Sequence, residues 1–543
     1  MNPSASELNP GRPMWWFSGW LMLGCLILLQ GIRFATFYSL EGHVDISFQL
    51  HAAANLEAGF GYTLSEVKEA NLDNIQYAPL IGWPPGYSVL ALTMKKLTGD
   101  WLIAARFIRG LALLVVLLLG AWLWKMIRGD RLHGREGWIL VALYGLNFAP
   151  FYYPEVTGLI CFALLLLATG AWLRSQQASK PWPWLVLASV AMGLTPWFRF
   201  AYLPLLAILP ATMLWLGGGK TLLGFFQKKT APIKIAWLRK GGVSALIELL
   251  LFLPLYLHQQ AQTGALSHLA YRPKVESLDL GKLLHFDPFP VKAFLYADPS
   301  VVADRYGEGL GLLANLGFAF CSLAVLLVLV VKLWRKPDRL RIPAFMLLGI
   351  PVLMLTYLSL RYPYEGVLDG GVWTYVQETR YYLPAMLVIH LVFLSFLLDK
   401  GKLGMLVLAG IICLVGLRYG VRHYQHYGLG INNQTQISEF DTRLRQLIQL
   451  KKGIDRPTFY VFDEEERGWR EEIRHYVAPY GYTPFALDAL EKNFIQYSGP
   501  AVLILHIKPE QKGALEKRYP SWIWKGHAMD GYRQIWQVDL TEP

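Results

Sequence analysis

The chain has 543 residues, 54% of them hydrophobic and only 17% charged, with a positive mean hydropathy. That balance excludes an ordinary soluble enzyme and fits a polytopic membrane protein. The net charge of +12 invites a nucleic-acid reading, but the basic residues cluster between apolar runs, so no nucleic-acid partner is expected.

Runs of roughly 17–25 apolar residues are the spanning unit. The sequence offers about eleven candidates: Trp15–Phe34, Trp101–Lys125, Trp138–Tyr152, Val156–Trp172, Trp184–Phe198, Phe200–Leu216, Val243–Leu257, Leu310–Val331, Ile342–Leu360, Tyr381–Leu398 and Leu403–Leu417. The first lacks a small-residue cleavage site and reads as an uncleaved anchor. With the N-terminus inside, the basic clusters at 125–135, 220–240 and 332–341 all fall on the cytoplasmic side, as the positive-inside rule expects. The cysteines Cys25, Cys161, Cys321 and Cys413 lie within apolar runs and read as small core residues, with no disulfide framework and no zinc spacing.

This topology leaves few outward parts: a first loop at 35–100, a tight turn at Pro154-Glu155, loops at 259–308 and 361–380, and everything after about residue 420. Counting Ser88–Leu92 as a span would flip the next basic loop outside. Residues 84–97 therefore read as a helix lying in the outer interface, with Lys95 and Lys96 snorkelling toward headgroups. The tail changes character: Thr458–Phe462, Ala501–Leu505 and Tyr532–Val538 are strand-like, and helix-competent stretches lie at Glu464–Tyr476 and Pro509–Arg518. The expected fold class is mainly α, a membrane domain over 1–420 followed by a small soluble α/β domain over 430–543 on the outer face. No internal repeat or low-complexity segment interrupts it.

Two acids stand out. Asp45 follows the first apolar run and can serve as a general base toward an acceptor hydroxyl, or merely be a loop-facing acid or a cap ahead of the helix over Ile46–Leu56. Glu155 sits between two apolar runs with almost no loop, where an ionisable group is costly. The bland alternative is that Pro154 breaks the helix and Glu155 meets water. Arginines gather near the outer ends of spans: Arg33, Arg106, Arg199 and Arg380. Each alone can snorkel to lipid phosphate, whereas several converging on one pocket can bind a phosphate leaving group. His43 and His258 are weaker candidates, because a lone interfacial histidine is more often structural. The aromatic residues Trp83, Tyr87, Tyr152, Tyr153, Trp373 and Tyr375 suit interfacial belts, and can also stack on sugar rings.

Taken in order, these features resemble the GT-C superfamily of polyprenyl-phosphate-sugar-dependent glycosyltransferases, in the branch of the protein O-mannosyltransferases and lipid A aminoarabinose transferases. The matching elements are Asp45 with the following Ala53–Tyr62, then Trp83-Pro84-Pro85-Gly86-Tyr87, Arg106, Pro154-Glu155, Arg199, and Arg380-Tyr381 with Leu383-Pro384. They cover roughly the first 400 residues; each is loose alone, and their order on one side of the membrane gives the match its weight.

The resemblance implies that an acceptor hydroxyl attacks the anomeric carbon of a lipid-phosphate sugar on the outer face, with inversion. It implies Asp45 and Glu155 as the catalytic acids and Arg106, Arg199 and Arg380 as donor phosphate ligands. Substrate contacts are expected from His43, Trp83, Tyr87, Tyr153, His258, Glu378 and Tyr381. Ile46 follows Asp45 where many relatives carry a second acid, so no divalent metal and no cofactor is expected. The expected partners are membrane lipids, the polyprenyl-phosphate sugar donor, and a glycan, lipid or protein acceptor. The expected place is the plasma membrane of a cell envelope. A transporter or lipid flippase is the chief rival, but would want charge at mid-span and matched broken helices. A ligase or polymerase using a diphosphate-linked glycan differs mainly in donor.

Overall fold

The computed structural model describes residues 44–128, 156–214, 235–263, 403–410, 432–463, 469–530 and 533–541, with positions 21, 24, 25, 397, 401 and 413. In chain order its first helices are α1 (Val44–Glu57), α2 (Gly86–Thr98), α3 (Trp101–Arg128), α4 (Val156–Gln177), α5 (Pro181–Gly193), α6 (Thr195–Phe198), α7 (Ile208–Leu214) and α8 (Ile235–Thr263). Then come α9 (Asn432–Lys451), α10 (Trp469–Val477), α11 (Leu487–Lys492) and α12 (Pro509–Arg518). The strands are β1 (Thr63–Glu66), β2 (Gln76–Pro79), β3 (Thr458–Phe462), β4 (Tyr482–Ala486), β5 (Ala501–Ile507), β6 (Trp524–Asp530) and β7 (Arg533–Leu540). The chain divides into two compact units, residues 1–31 with 111–422 and residues 32–110 with 423–543.

The first unit is helical. Among the described residues three helices are long and apolar enough to cross a membrane: Trp101–Leu123, Val156–Gln177 and Ile235–Gln262. The runs read at Trp101–Lys125, Val156–Trp172 and Val243–Leu257 correspond to them. The fifth and sixth expected spans differ. The helix from Pro181 stops at Gly193, and Pro196 disfavours helical geometry at Thr195. A short turn, a 3-10 segment over Phe200–Ala207 containing Pro204, and α7 follow instead of continuous spans. Of the remaining expected spans, Trp138–Tyr152, Leu310–Val331 and Ile342–Leu360 lie outside the described residues; Trp15–Phe34 and Tyr381–Leu398 are described only at single positions, and Leu403–Leu417 is helical over 403–410.

Small residues let these helices approach. A side chain on Gly170 of α4 would begin 2.1 Å from the Trp122 ring of α3. Between α5 and α8, Ser189 and Ser244 share a hydroxyl hydrogen bond of 2.8 Å, and Ser244 Oγ donates to Glu248 Oε1 at 2.9 Å. All three are buried, and such polar pairs are the usual link between helices in hydrocarbon.

The second unit joins segments far apart in sequence. Its sheet runs β4-β3-β5-β7-β6, with β3 parallel to β4 and β5, β7 antiparallel to β5, and β6–β7 a hairpin. Strand β5 is buried at every position, as a central strand covered on both faces must be. The exposed edge of β4 is not left open: Val67 donates its N–H to Pro484 O at 2.9 Å and bridges Phe485. Leu72 and Gln496 repeat the contact, Leu72 N–H reaching Gln496 O at 2.9 Å. Val67 and Leu72 are buried in the same hydrophobic core as Phe459, Phe485, Leu503 and Val538. The 32–110 segment, grouped with the membrane part in the sequence reading, thus supplies both edge and core to the tail sheet.

Candidate active site

Asp45 stands in the first turn of α1 and is only 7% exposed. It is therefore neither a loop acid nor a residue ahead of the helix. The unpaired N–H groups and dipole of a helix start favour a carboxylate there. Gln49, one turn on, donates its side-chain amide to Asp45 O at 2.8 Å. The Pro-Pro turn then delivers α2 back onto α1. Ser88 Oγ donates to Gln49 O at 2.7 Å, and Gly99 (φ 78) closes α2 before α3 begins.

Two sequence expectations change on this helix. Tyr87 is fully buried in α2, so its ring packs in the interior and presents no face for a sugar. Lys95 binds the Glu57 carboxylate at 2.7 and 2.8 Å and lies 5.4 Å from the Trp101 ring centroid, so α1 and α3 occupy it. Trp83 is half-buried, its ring 5.2 Å from that of Phe48, beside the small cluster of Ala52, Tyr62 and Leu80. Tyr62 OH donates toward the carbonyls of Trp83 and Pro84 at 3.3 Å each, fixing that turn.

Arg106 is half-buried on α3, and one turn further Arg109 is buried, a guanidinium the sequence reading did not single out. Asp45, Trp83, Tyr87 and Arg106 belong to the unit of 32–110 and 423–543; Arg199 and His258 belong to the other. Arg199 is 7% exposed in an extended residue (φ −155, ψ 120) between α6 and the 3-10 segment, where the Pro196 break places it. Trp197 Nε1 donates to Leu251 O at 2.8 Å and ties that break to α8. His258 is half-buried near the end of α8. Glu155, Arg380, His43, Tyr153, Glu378 and Tyr381 lie outside the described residues. Among the described residues no group of three or more His, Cys, Asp or Glu could hold a metal ion.

A buried polar cluster further along α1, around His51, was invisible in the sequence. His51 Nδ1 and His475 Nδ1 are 3.0 Å apart, His51 Nε2 is 2.8 Å from Ser65 Oγ, and Arg474 Nε donates to His475 Nε2 at 3.0 Å. Ser65 Oγ lies 3.5 Å from Asn55 Oδ1, and Asn55 Nδ2 donates to Thr63 O at 2.9 Å. Phe48 sets its ring edge-on to His475, centroids 4.2 Å apart. Burial holds His51 down to about 3, with the Arg474 charge adding to it. Burial, then His51 and Arg474, hold His475 well below the usual range. Both imidazoles are neutral at ordinary pH. Glu248, the buried acid of α8, was also missed, although an acid within the apolar run Val243–Leu257 is the same signal that singled out Glu155.

No protein-family model and no curated protein matches the chain. Among solved structures it is similar to ArnT from Cupriavidus metallidurans bound to undecaprenyl phosphate. The TM-score is 0.50 at 14% identity, over 96% of this chain and 98% of that one. The apo state of the same protein gives 0.43 at 15% identity with the same coverage. The likeness is one of fold, carried along nearly the whole of both chains. The match reaches well into residues 430–543, where the sequence carried no motif to compare.

Proposed function

We propose that the chain is an integral membrane glycosyltransferase. It moves a sugar, with inversion, from a polyprenyl-phosphate donor to an acceptor hydroxyl on the extracytoplasmic face of a plasma membrane. The N-terminus is cytoplasmic and the C-terminal segment extracytoplasmic. The observation that carries this reading is a fold shared along nearly the full length of a protein crystallised with undecaprenyl phosphate. The buried carboxylate of Asp45 in a helix first turn fits it.

In this reading Asp45 takes the proton of the acceptor hydroxyl as that oxygen bonds to the anomeric carbon. The bond from that carbon to the donor phosphate oxygen breaks on the opposite side. Glu155 is the second acid of the site. Arg106, Arg199 and Arg380 meet the charge that develops on the departing lipid phosphate, which guanidinium groups bind bidentately. Trp83, Tyr153, Tyr381, His43, His258 and Glu378 remain substrate contacts; Tyr87 acts by packing. No divalent metal or cofactor is required, because the leaving monophosphate is neutralised by arginine.

The test uses full-length protein in lipid nanodiscs with synthetic undecaprenyl-phosphate monosaccharides and envelope lipid, glycan and protein fractions as acceptors, reading release of undecaprenyl phosphate. Asp45→Asn and Glu155→Gln are expected to lose transfer by about 10²–10⁴-fold, the scale of general acid–base catalysis. Full activity in both variants sinks the site assignment.

A further inference from the structure

The unit formed by residues 32–110 and 423–543 contains a hydrogen-bond chain whose direction its cationic donor sets, at the expense of the Ser65 backbone N–H that also faces His51 Nε2. Arg474 carries only donors, so His475 Nε2 must accept from it, and the His475 proton lies on Nδ1. That proton points at His51 Nδ1, which leaves the His51 proton on Nε2, facing Ser65 Oγ. Ser65 passes its own hydroxyl proton to Asn55 Oδ1. The opposite tautomer would satisfy the Ser65 backbone N–H, 3.2 Å from His51 Nε2, but would turn His475 Nε2–H against the guanidinium. A bond from a cationic donor is about twice as strong as a neutral one, so the direction from Arg474 outward wins.

The chain joins α10 to α1 and β1. His475 touches α1 twice on successive turns, at the Phe48 ring and at the His51 ring nitrogen. On another side of the same helix, Ser88 of α2 holds Gln49, whose side chain binds Asp45 O. His51 and Asp45 are six positions apart, roughly 9 Å along the helix axis. A swing of about ten degrees around His51 would therefore move Asp45 by roughly 1.5 Å. A misplacement on the order of 1 Å is enough to cost about 10²-fold in rate.

We propose that His475, oriented by Arg474, is a positioning residue for Asp45: it keys α1 against α10, so that the C-terminal segment sets where the catalytic acid stands. The inference rests on the reading of Asp45 given above and adds the tail to the machinery of the reaction. His475→Phe keeps the ring beside Phe48 and removes both nitrogens. His475→Gln keeps one acceptor and one donor.

Amide exchange of the full-length protein in nanodiscs is the first measurement. In His475→Phe, exchange across 44–50 should rise about tenfold while 501–507 in β5 stays as in the wild type, and His475→Gln should recover most of the protection. Turnover with the donor panel is the second: His475→Phe should lower kcat at least tenfold with KM within twofold, and His475→Gln should restore most of kcat. Wild-type exchange across 44–50 in His475→Phe overturns the proposal, as does an equal rise in 501–507, or a Gln variant no better than Phe. Asp45→Asn separates the two layers. If it keeps full turnover, the reading of Asp45 fails; if it is inactive while His475→Phe turns over normally, the positioning role alone fails.

Discussion

The two units of this protein solve the problem of burying polar groups in opposite ways. Helix α4 lies close to α3 because Gly170 leaves room for the Trp122 ring, α5 lies close to α8 because Gly193 leaves room for Leu251, and the Ser189–Ser244–Glu248 link joins α5 to α8. The 32–110 and 423–543 unit instead gathers residues hundreds of positions apart: Val67 with Phe485, Asp100 with Tyr480, His51 with His475. In the first unit each helix is a local product of apolar sequence and association is a matter of fit. In the second, neither segment has a complete core or sheet edge without the other, so a large part of its stability is non-local. Disturbing one segment should therefore unfold the other in the second unit, whereas packing changes among the helices should stay local.

The strongest way to break that contrast is Val67→Asp. Val67 is fully buried among Phe485, Leu503 and Leu505 of the tail core. An unpaired carboxylate there costs about 3–5 kcal/mol, a large share of a domain's stability. Limited proteolysis of the full chain should then cut within 458–540 although the substitution lies in the first loop. A tail that keeps wild-type resistance would mean that it folds by itself.

How much of this was legible follows the same division. The run from Trp101 announces α3 because apolar length alone signals a spanning helix, and the β-branched and aromatic stretch Thr458–Phe462 has the bounds of β3. The stop at Leu194 was hidden, because Pro196 sits inside an otherwise unbroken apolar run and only its backbone restriction matters. Asp45 was visible as an acid beside a membrane segment. Its burial was not, nor was His475 behind it, because side-chain periodicity carries no information on a partner 424 residues away. Tyr87 misled for a related reason: an aromatic after a Pro-Pro turn suits a sugar platform and a helix core equally well.

A smaller effect sharpens the comparison through pH. The ordinary histidine value is 6.5, and His51 is held to about 3 in the folded protein. The unfolded chain therefore takes up protons that the folded one refuses between those values, and stability present above pH 6.5 is lost as pH falls toward 3. The charged groups facing the pair are Arg474 from α10 and, 4.0 Å from Arg474, Glu66 from β1. Protonating His51 would set two N–H groups against each other across the 3.0 Å gap, and protonating His475 would turn its Nε2–H against Arg474 Nε, 3.0 Å away. The second unit should lose on the order of 2–4 kcal/mol between pH 7 and pH 4.5. Urea melts followed by exchange at 501–507 measure it, with His51→Leu/His475→Leu as the reference for carboxylate effects. Equal slopes in the two proteins would remove the histidine pair as the cause.

The smallest expected effect tests the helical side. At Gly170 a methyl group would meet three atoms of the Trp122 ring between 2.1 and 2.8 Å, so Gly170→Ala forces that indole, or α3 itself, to move. Overpacking of this kind costs about 1–3 kcal/mol. If the helices associate by local fit, the damage ends where the clash ends. Gly170→Ala with Trp122→Leu should then be more stable than Gly170→Ala alone, and amide exchange across β5 should be unchanged in both. Thermal unfolding of the four proteins of the cycle gives a coupling of the opposite sign to the single clash. Additive losses, with β5 loosened as well, would mean that a clash in one unit unfolds the other, and the contrast between local fit and shared core would fall.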